Sequence, residues 1–153
     1  MTTNDKKQRN TNNVDATGMT VAANVKRLRG GLSFPELSRR LSAIGRPLPV
    51  IALRRIEEGN RNVTVDDLMA FAIVFGVSPL TLLMPEYASN KVSTRITGVD
   101  KPISSLLAWS WAMCDKPLPS EESDAMQESG DVAGMLDAAE LFRFRSSPKR
   151  MED

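Results

Sequence analysis

Residues 32–59 read LSFPELSRRLSAIGRPLPVIALRRIEEG, a pattern that predicts two short helices joined by a turn. Ser33 and Glu36 have the spacing of a capping box, so we expect the second helix of the chain to begin after Ser33. Two prolines in the turn at 45–49 exclude a helix there, and the second of them can open the next helix. A third helix is therefore predicted over residues 49–58.

Helical patterns continue on both sides of this pair. Apolar residues recur at helical spacing before it, and Thr64 and Asp67 form a second capping box ahead of a fourth helix. With a short fifth helix after Ser78, residues 20–86 are predicted to form a five-helix domain. The preceding segment, 1–19, is rich in threonine and asparagine and is expected to be a disordered arm.

The remaining residues, 87–153, are predicted to form a smaller and mostly helical region. β-Branched side chains indicate a short strand at 92–97, and apolar spacing indicates helices at 102–114 and 131–144. The acidic segment 120–131 between those helices is expected to be a linker. The expected fold class of the whole chain is mainly α.

Composition narrows the classes of function. The chain of 153 residues has no histidine and one cysteine, Cys114, which excludes Ser-His-Asp and Cys-His catalysis, a histidine-ligated zinc and an internal disulfide. No glycine-rich phosphate loop and no metal-ligand spacing is found. We therefore expect a protein that is not an enzyme, with no catalytic residue, no metal and no cofactor.

The sequence also bears on location. It contains no apolar run of about 18 residues and starts with polar residues, so neither a membrane span nor a secretory signal is expected. A single cysteine fits the reducing cytoplasm.

Charge is unevenly distributed along the chain, although the net charge is only +1. Residues 20–61 carry nine basic and three acidic side chains, a net charge of +6, whereas residues 115–140 carry one lysine and eight acids, a net charge of −7. The basic segment is a candidate surface for a polyanion, with an ordinary solvated surface as the alternative.

The third helix offers side chains suited to a DNA major groove. With Leu53 set at 0° on the buried side, Ile51 lies at about 160° and Arg55 at about 200°, both opposite the core. Arginine can give two hydrogen bonds to guanine, and aliphatic side chains can contact thymine methyl groups. Val50 and Ala52 are expected beside this outward face. The candidate base-reading residues are Val50, Ile51, Arg54 and Arg55.

Two alternatives remain open for this helix. Ile51 could be buried under the C-terminal segment, and Arg54 could pair with Glu58 one helical turn away.

Polar residues around the second and third helices are candidates for phosphate contacts. The start of a helix presents free amides to an anion, and basic or amide side chains in flanking turns suit the same purpose. These candidate residues are Ser33, Arg46, Asn60, Arg61 and Asn62.

Three motifs together resemble the Cro-like, XRE-type helix-turn-helix regulators, which have a lambda-repressor-like fold. The motifs are Leu32-Ser33-x-x-Glu36-Leu37-Ser38, Leu53-x-x-Ile56-Glu57-x-Gly59, and Leu68 through Gly76-Val77-Ser78. The resemblance covers about residues 20–85 and implies binding of double-stranded DNA by the third helix. It also implies a structural ion pair between Arg29 and Glu57.

A narrower resemblance concerns the long, proline-rich turn at 45–49, which is similar to that of actinobacterial and actinophage members. The segment from Thr97-Gly98-Val99 through Trp109-x-Trp111 to Lys116-Pro117-Leu118 also resembles the tail of such regulators. This resemblance implies a transcriptional repressor, of the phage immunity kind or a related host regulator, in the cytoplasm of a bacterial cell.

The second half of the chain has three candidate roles. It could dimerise through residues 103–113 or 132–142, add DNA contacts, or enlarge the core. We favour added DNA contacts by a monomer on a long asymmetric site over a homodimer, because basic and hydroxyl side chains directly follow the first domain. The candidate additional DNA contacts are Lys91, Ser93, Thr94, Arg95 and Lys101. The alternative function is an antitoxin or protein-binding adaptor that acts through the acidic C-terminal region.

Overall fold

The computed structural model describes residues 13–149, and the chain divides after Pro85 into two compact units. The fold is mainly α, as predicted. The helices of the first unit are α1 (Ala16–Arg29), α2 (Phe34–Ala43), α3 (Val50–Glu57), α4 (Val65–Phe75) and α5 (Pro79–Leu83). The second unit contains β1 (Ser93–Thr94), β2 (Ile103–Ser104), α6 (Ser105–Ala112), α7 (Glu121–Ser129) and α8 (Val132–Ser146).

All five helices of the first unit contribute to one core. The core is aliphatic apart from one phenylalanine, and burying each such side chain contributes about 1.5–3 kcal/mol relative to leaving it exposed. Its completely buried members are Val25, Leu37, Leu41, Leu53, Ile56, Phe71 and Leu82. Leu53 and Ile56 therefore lie on the inner face of α3, as their spacing predicts.

The turn between α2 and α3 is fixed by hydrogen bonds to α2. Gly45 has a φ of +79°, a conformation that favours glycine, and the Arg46 amide donates to the Leu41 carbonyl at 2.9 Å. The Ser38 hydroxyl donates to the Leu48 carbonyl at 2.6 Å, and the Leu48 side chain is buried. These contacts set the direction in which α3 leaves the turn.

Arg29 and Glu57 form the ion pair that the family resemblance implies. Arg29 Nε lies 2.5 Å from Glu57 Oε1, and Arg29 Nη2 lies 3.0 Å from Oε2. Arg29 Nη1 also donates to the Leu32 carbonyl at 2.8 Å. The pair therefore joins α1, the loop before α2, and the last turn of α3.

A second ion pair joins the turn to α4. Arg46 Nε donates to Asp67 Oδ1 at 2.8 Å, and Arg46 Nη2 lies 3.2 Å from Thr64 Oγ1. Thr64 and Asp67 form the predicted capping box of α4. Burial alone would raise the pKa of Asp67, but hydrogen bonds from Arg46 and Thr64 outweigh it and hold the pKa below its usual value.

A buried amide closes the C-terminal end of the first unit. The Asn24 side chain in α1 donates to the carbonyls of Leu82 at 3.0 Å and Met84 at 2.8 Å. Two carbonyls at the end of α5, which the short helix leaves without helical partners, are thus satisfied.

The second unit begins with a small antiparallel sheet, in which Thr94 pairs with Ile103. The predicted strand at 92–97 is present but is limited to β1. The predicted helix at 102–114 is shorter at both ends, because Ile103 belongs to β2 and Ser104 caps α6 by accepting a hydrogen bond from the Leu107 amide at 3.2 Å.

The prediction of a linker at 120–131 is wrong, because these residues form α7. Ser120 and Ser123 make a capping box at its start, and Gly130 ends it in the left-handed conformation. These signals at the two ends are sufficient for a helix to form, despite the acidic composition of the segment. The helix predicted at 131–144 is α8, which continues to Ser146.

The predicted disordered arm, 1–19, is also wrong in its last part. Asp15 accepts a hydrogen bond from the Ala16 amide and caps α1, which starts four residues before the predicted domain boundary at 20. Residues 1–12 lie outside the described part of the chain.

Glu57→Gln is expected to lower the free energy of unfolding by about 2–4 kcal/mol, because it removes one partner of a largely buried ion pair. Arg29 and Glu57 are 17 % and 7 % exposed. Urea unfolding followed by circular dichroism measures the change. Glu58→Gln, at the exposed neighbour, is the control and should change stability by less than about 0.5 kcal/mol. Equal effects of the two changes would contradict the structural role of the pair.

Acid is expected to weaken the Arg46–Asp67 pair. Because the folded-state pKa of Asp67 is depressed, its stabilisation is fully present above the unfolded pKa of about 3.9 and is lost as the pH falls through the folded pKa. Asp67→Asn should cost about 1–3 kcal/mol at neutral pH and less in acid. Asp66→Asn is the control, since Asp66 is 80 % exposed and 3.9 Å from Arg46. Urea unfolding at several pH values tests this, and a pH-independent cost of Asp67→Asn would refute it.

Candidate nucleic-acid interface

The outward face of α3 carries three exposed side chains, two of them basic. Ile51 is 65 % exposed rather than buried, and Arg54 and Arg55 are exposed beside it. Val50 is half-buried at the flank. The expectation that Ala52 lies beside this face is wrong, because its side chain is buried against the core.

In the part of the chain that the structure describes, Arg54 forms no ion pair with Glu58. Its guanidinium lies over the ring of Phe34, the first residue of α2, at 4.8 Å from the ring centroid. The guanidinium of Arg29 lies over the same ring at 4.1 Å. Phe34 is a component of this surface that sequence reasoning missed, and the only local signal is an aromatic residue at the start of a helix.

The start of α2 combines a helix cap with a small charge cluster. Ser33 Oγ accepts a hydrogen bond from the Glu36 amide at 3.3 Å, as the capping motif predicts. The Glu36 carboxylate binds Arg39 and Arg40 at 2.7–2.9 Å instead of completing the capping box. Hydrogen bonds from Arg39 and Arg40 lower the pKa of Glu36 to about 2. The cluster carries a net positive charge, so Glu36 does not make this surface acidic.

Arg46 is placed differently from the other candidate phosphate contacts. Its guanidinium is bound to Asp67 and Thr64 and lies within 3.9 Å of Asp66. Because two carboxylates balance its charge, the structure gives Arg46 a role in holding α4 to the turn.

The segment after α3 is exposed and polar. The Asn60 amide N–H donates to the Arg55 carbonyl at 2.8 Å, which fixes the chain as it leaves α3. The Asn60 side chain lies 3.4 Å from Glu58 Oε2, and the side chains of Arg61 and Asn62 are exposed. These residues extend the basic character of the α3 surface and add two amide side chains to it.

The candidate contacts of the second unit occupy its N-terminal part. Ser93 and Thr94 form β1, in which Thr94 is half-buried. Lys91, Arg95 and Lys101 are exposed in the segments on either side of β1. The sheet thus brings hydroxyl groups and basic side chains into one short region of that unit.

The helices α7 and α8 pair with each other and bury no side chain completely. Between them lies an open groove of about 510 Å³. Its lining combines apolar side chains, including Met126 and Leu141, with the charged side chains of Glu122, Asp137 and Arg145.

Within residues 13–149, no group of three or more acidic or cysteine side chains is arranged to hold a metal ion. No helix in that range has the length and apolar character needed to cross a membrane.

Comparison with known proteins gives no relative from which a function could be transferred. The chain matches no protein-family model, no curated protein and no solved structure.

Proposed function

We propose that the protein is a sequence-specific double-stranded DNA-binding repressor that reads the major groove with α3. The observation that carries this proposal is the exposure of Ile51 next to Arg55, on the face of α3 opposite the buried Leu53 and Ile56. An aliphatic side chain exposed to water makes no favourable polar interaction there. In the major groove it can contact a thymine methyl group, and the neighbouring arginines can donate to guanine acceptors.

The dimensions of α3 fit this role. An α-helix with its side chains is about 10–12 Å in diameter, which matches the width of the major groove of about 12 Å. Arg55 is proposed to bind guanine O6 and N7, and Ile51 with Val50 to contact a thymine methyl group. Arg54 is proposed to act at the edge of the same surface.

Phosphate contacts are proposed on both sides of α3. The Phe34 amide and the Ser33 hydroxyl at the start of α2 suit one phosphate, and Asn60, Arg61 and Asn62 suit the other flank. Arg46 is left out of this set because Asp67 and Asp66 balance its charge.

Repression is proposed to result from occlusion of RNA polymerase at the operator. A monomer would add contacts from Lys91, Arg95 and Lys101 on a long asymmetric site. The resemblance to Cro-like, XRE-type regulators supports this function, and the actinophage-like turn supports an immunity repressor. A bacterial or phage DNA target implies a cytoplasmic location.

One observation favours a second candidate function, an antitoxin or adaptor. The groove between α7 and α8 is lined by apolar side chains, two carboxylates and one arginine, so it suits an amphipathic segment of another protein that carries an excess of basic residues. Fluorescence anisotropy against random and selected DNA duplexes separates the two functions. Selective DNA binding with a steep salt dependence supports the repressor, and tight binding to a protein without any DNA affinity supports the adaptor.

Ile51→Ala is expected to weaken binding to a duplex selected from a random pool by about 5- to 30-fold, since it removes a thymine contact of about 1–2 kcal/mol. Ile73→Ala is the matched control, because Ile73 is 64 % exposed on α4. Anisotropy titration measures both variants. If Ile73→Ala weakens binding as much as Ile51→Ala, α3 is not the reading surface.

Arg55→Ala and Arg61→Ala are expected to act differently. Arg55→Ala should cost about 1–3 kcal/mol on the selected duplex and relax selectivity at one base pair. Arg61→Ala should weaken binding to all sequences alike and reduce the salt slope by about one unit. Titrations of both variants on selected and random duplexes at several salt concentrations test this division. A loss for Arg55→Ala that is identical on the two duplexes would contradict it.

A further inference from the structure

The ring of Phe34 is in contact with two arginine side chains, Arg29 and Arg54, that differ in their exposure and in their other partners. Arg29 is mostly buried and bound at two points by Glu57, so its guanidinium is held in place. Arg54 is exposed, and none of the described residues forms an ion pair or accepts a hydrogen bond from its side chain. Both guanidinium groups lie over the Phe34 ring, at 4.1 Å and 4.8 Å from its centroid.

These contacts close a loop of interactions. Glu57 and Arg54 are three residues apart on α3, Glu57 binds Arg29, and Arg29 and Arg54 share the ring. The ring belongs to the first residue of α2 and packs against the core, so it has little freedom to move. The position of Arg54 is therefore tied to the ion pair between α1 and α3.

We propose that Phe34 is a positioning residue for DNA recognition, whose ring orders the Arg54 guanidinium on the flank of α3 before DNA is bound. This proposal rests on the proposed function. A guanidinium over an aromatic ring keeps its N–H donors available for a planar acceptor such as a guanine edge or a phosphate. Because the long arginine side chain is ordered in advance, less conformational entropy is lost on binding.

A double-mutant cycle of Phe34→Leu and Arg54→Ala tests the proposal on the selected duplex. Phe34→Leu should weaken binding about three- to tenfold, and it should have no further effect when Arg54 is already alanine. Phe34→Tyr keeps the ring and should restore wild-type affinity. Equal losses from Phe34→Leu in both backgrounds, or failure of Phe34→Tyr to rescue, would overturn the proposal.

A second measurement needs no change of Phe34 and no DNA. In the free wild-type protein, nitrogen-15 relaxation of the side-chain Nε groups compares Arg54 with Arg55, which has no ring contact among the described residues. Arg54 Nε should be the more ordered on the picosecond-to-nanosecond timescale. Equal mobility of the Arg54 and Arg55 Nε groups would refute the ordering by Phe34, even if DNA binding is normal. An ordered Arg54 in a protein that does not bind DNA selectively would refute the proposed function instead.

Discussion

The bidentate contact between Arg29 and Glu57 is the interaction on which the geometry of the first unit depends. It connects the end of α1 to the end of α3, and the same guanidinium binds the Leu32 carbonyl before α2. The end of α1, the loop that follows it and the last turn of α3, which lies 28 residues further along the chain, are thereby held by one planar group with five donors, which a lysine could not replace. The direction in which α3 presents Ile51 follows from this arrangement.

Local signals explain why much of the first unit could be predicted. Ser33, Thr64 and Gly76 end or begin helices through contacts within a few residues, so their sequence pattern is sufficient. The exposure of Ile51 follows from helical periodicity around Leu53. The placement of Arg46 could not be predicted, because its partner Asp67 is 21 residues away and is chosen only when α4 packs.

Prediction fails where the composition of a segment and its helix end signals disagree, because the end signals determine the structure. Acidic side chains suggested a linker at 120–131, yet the Ser120 capping box and Gly130 are sufficient to begin and end a helix. Asp15 extends α1 in the same way into a segment that reads as polar. The role of Phe34 had no such signal, because a ring shared by two arginines is a property of the assembled helices.

The Asn24 side chain determines how the first unit ends. By donating to the carbonyls of Leu82 and Met84, it fixes the last residues of the first unit to α1 immediately before Pro85. The point at which the chain leaves this unit is thus set by a side chain of the unit itself. A different downstream segment joined at this point would leave both hydrogen bonds in place.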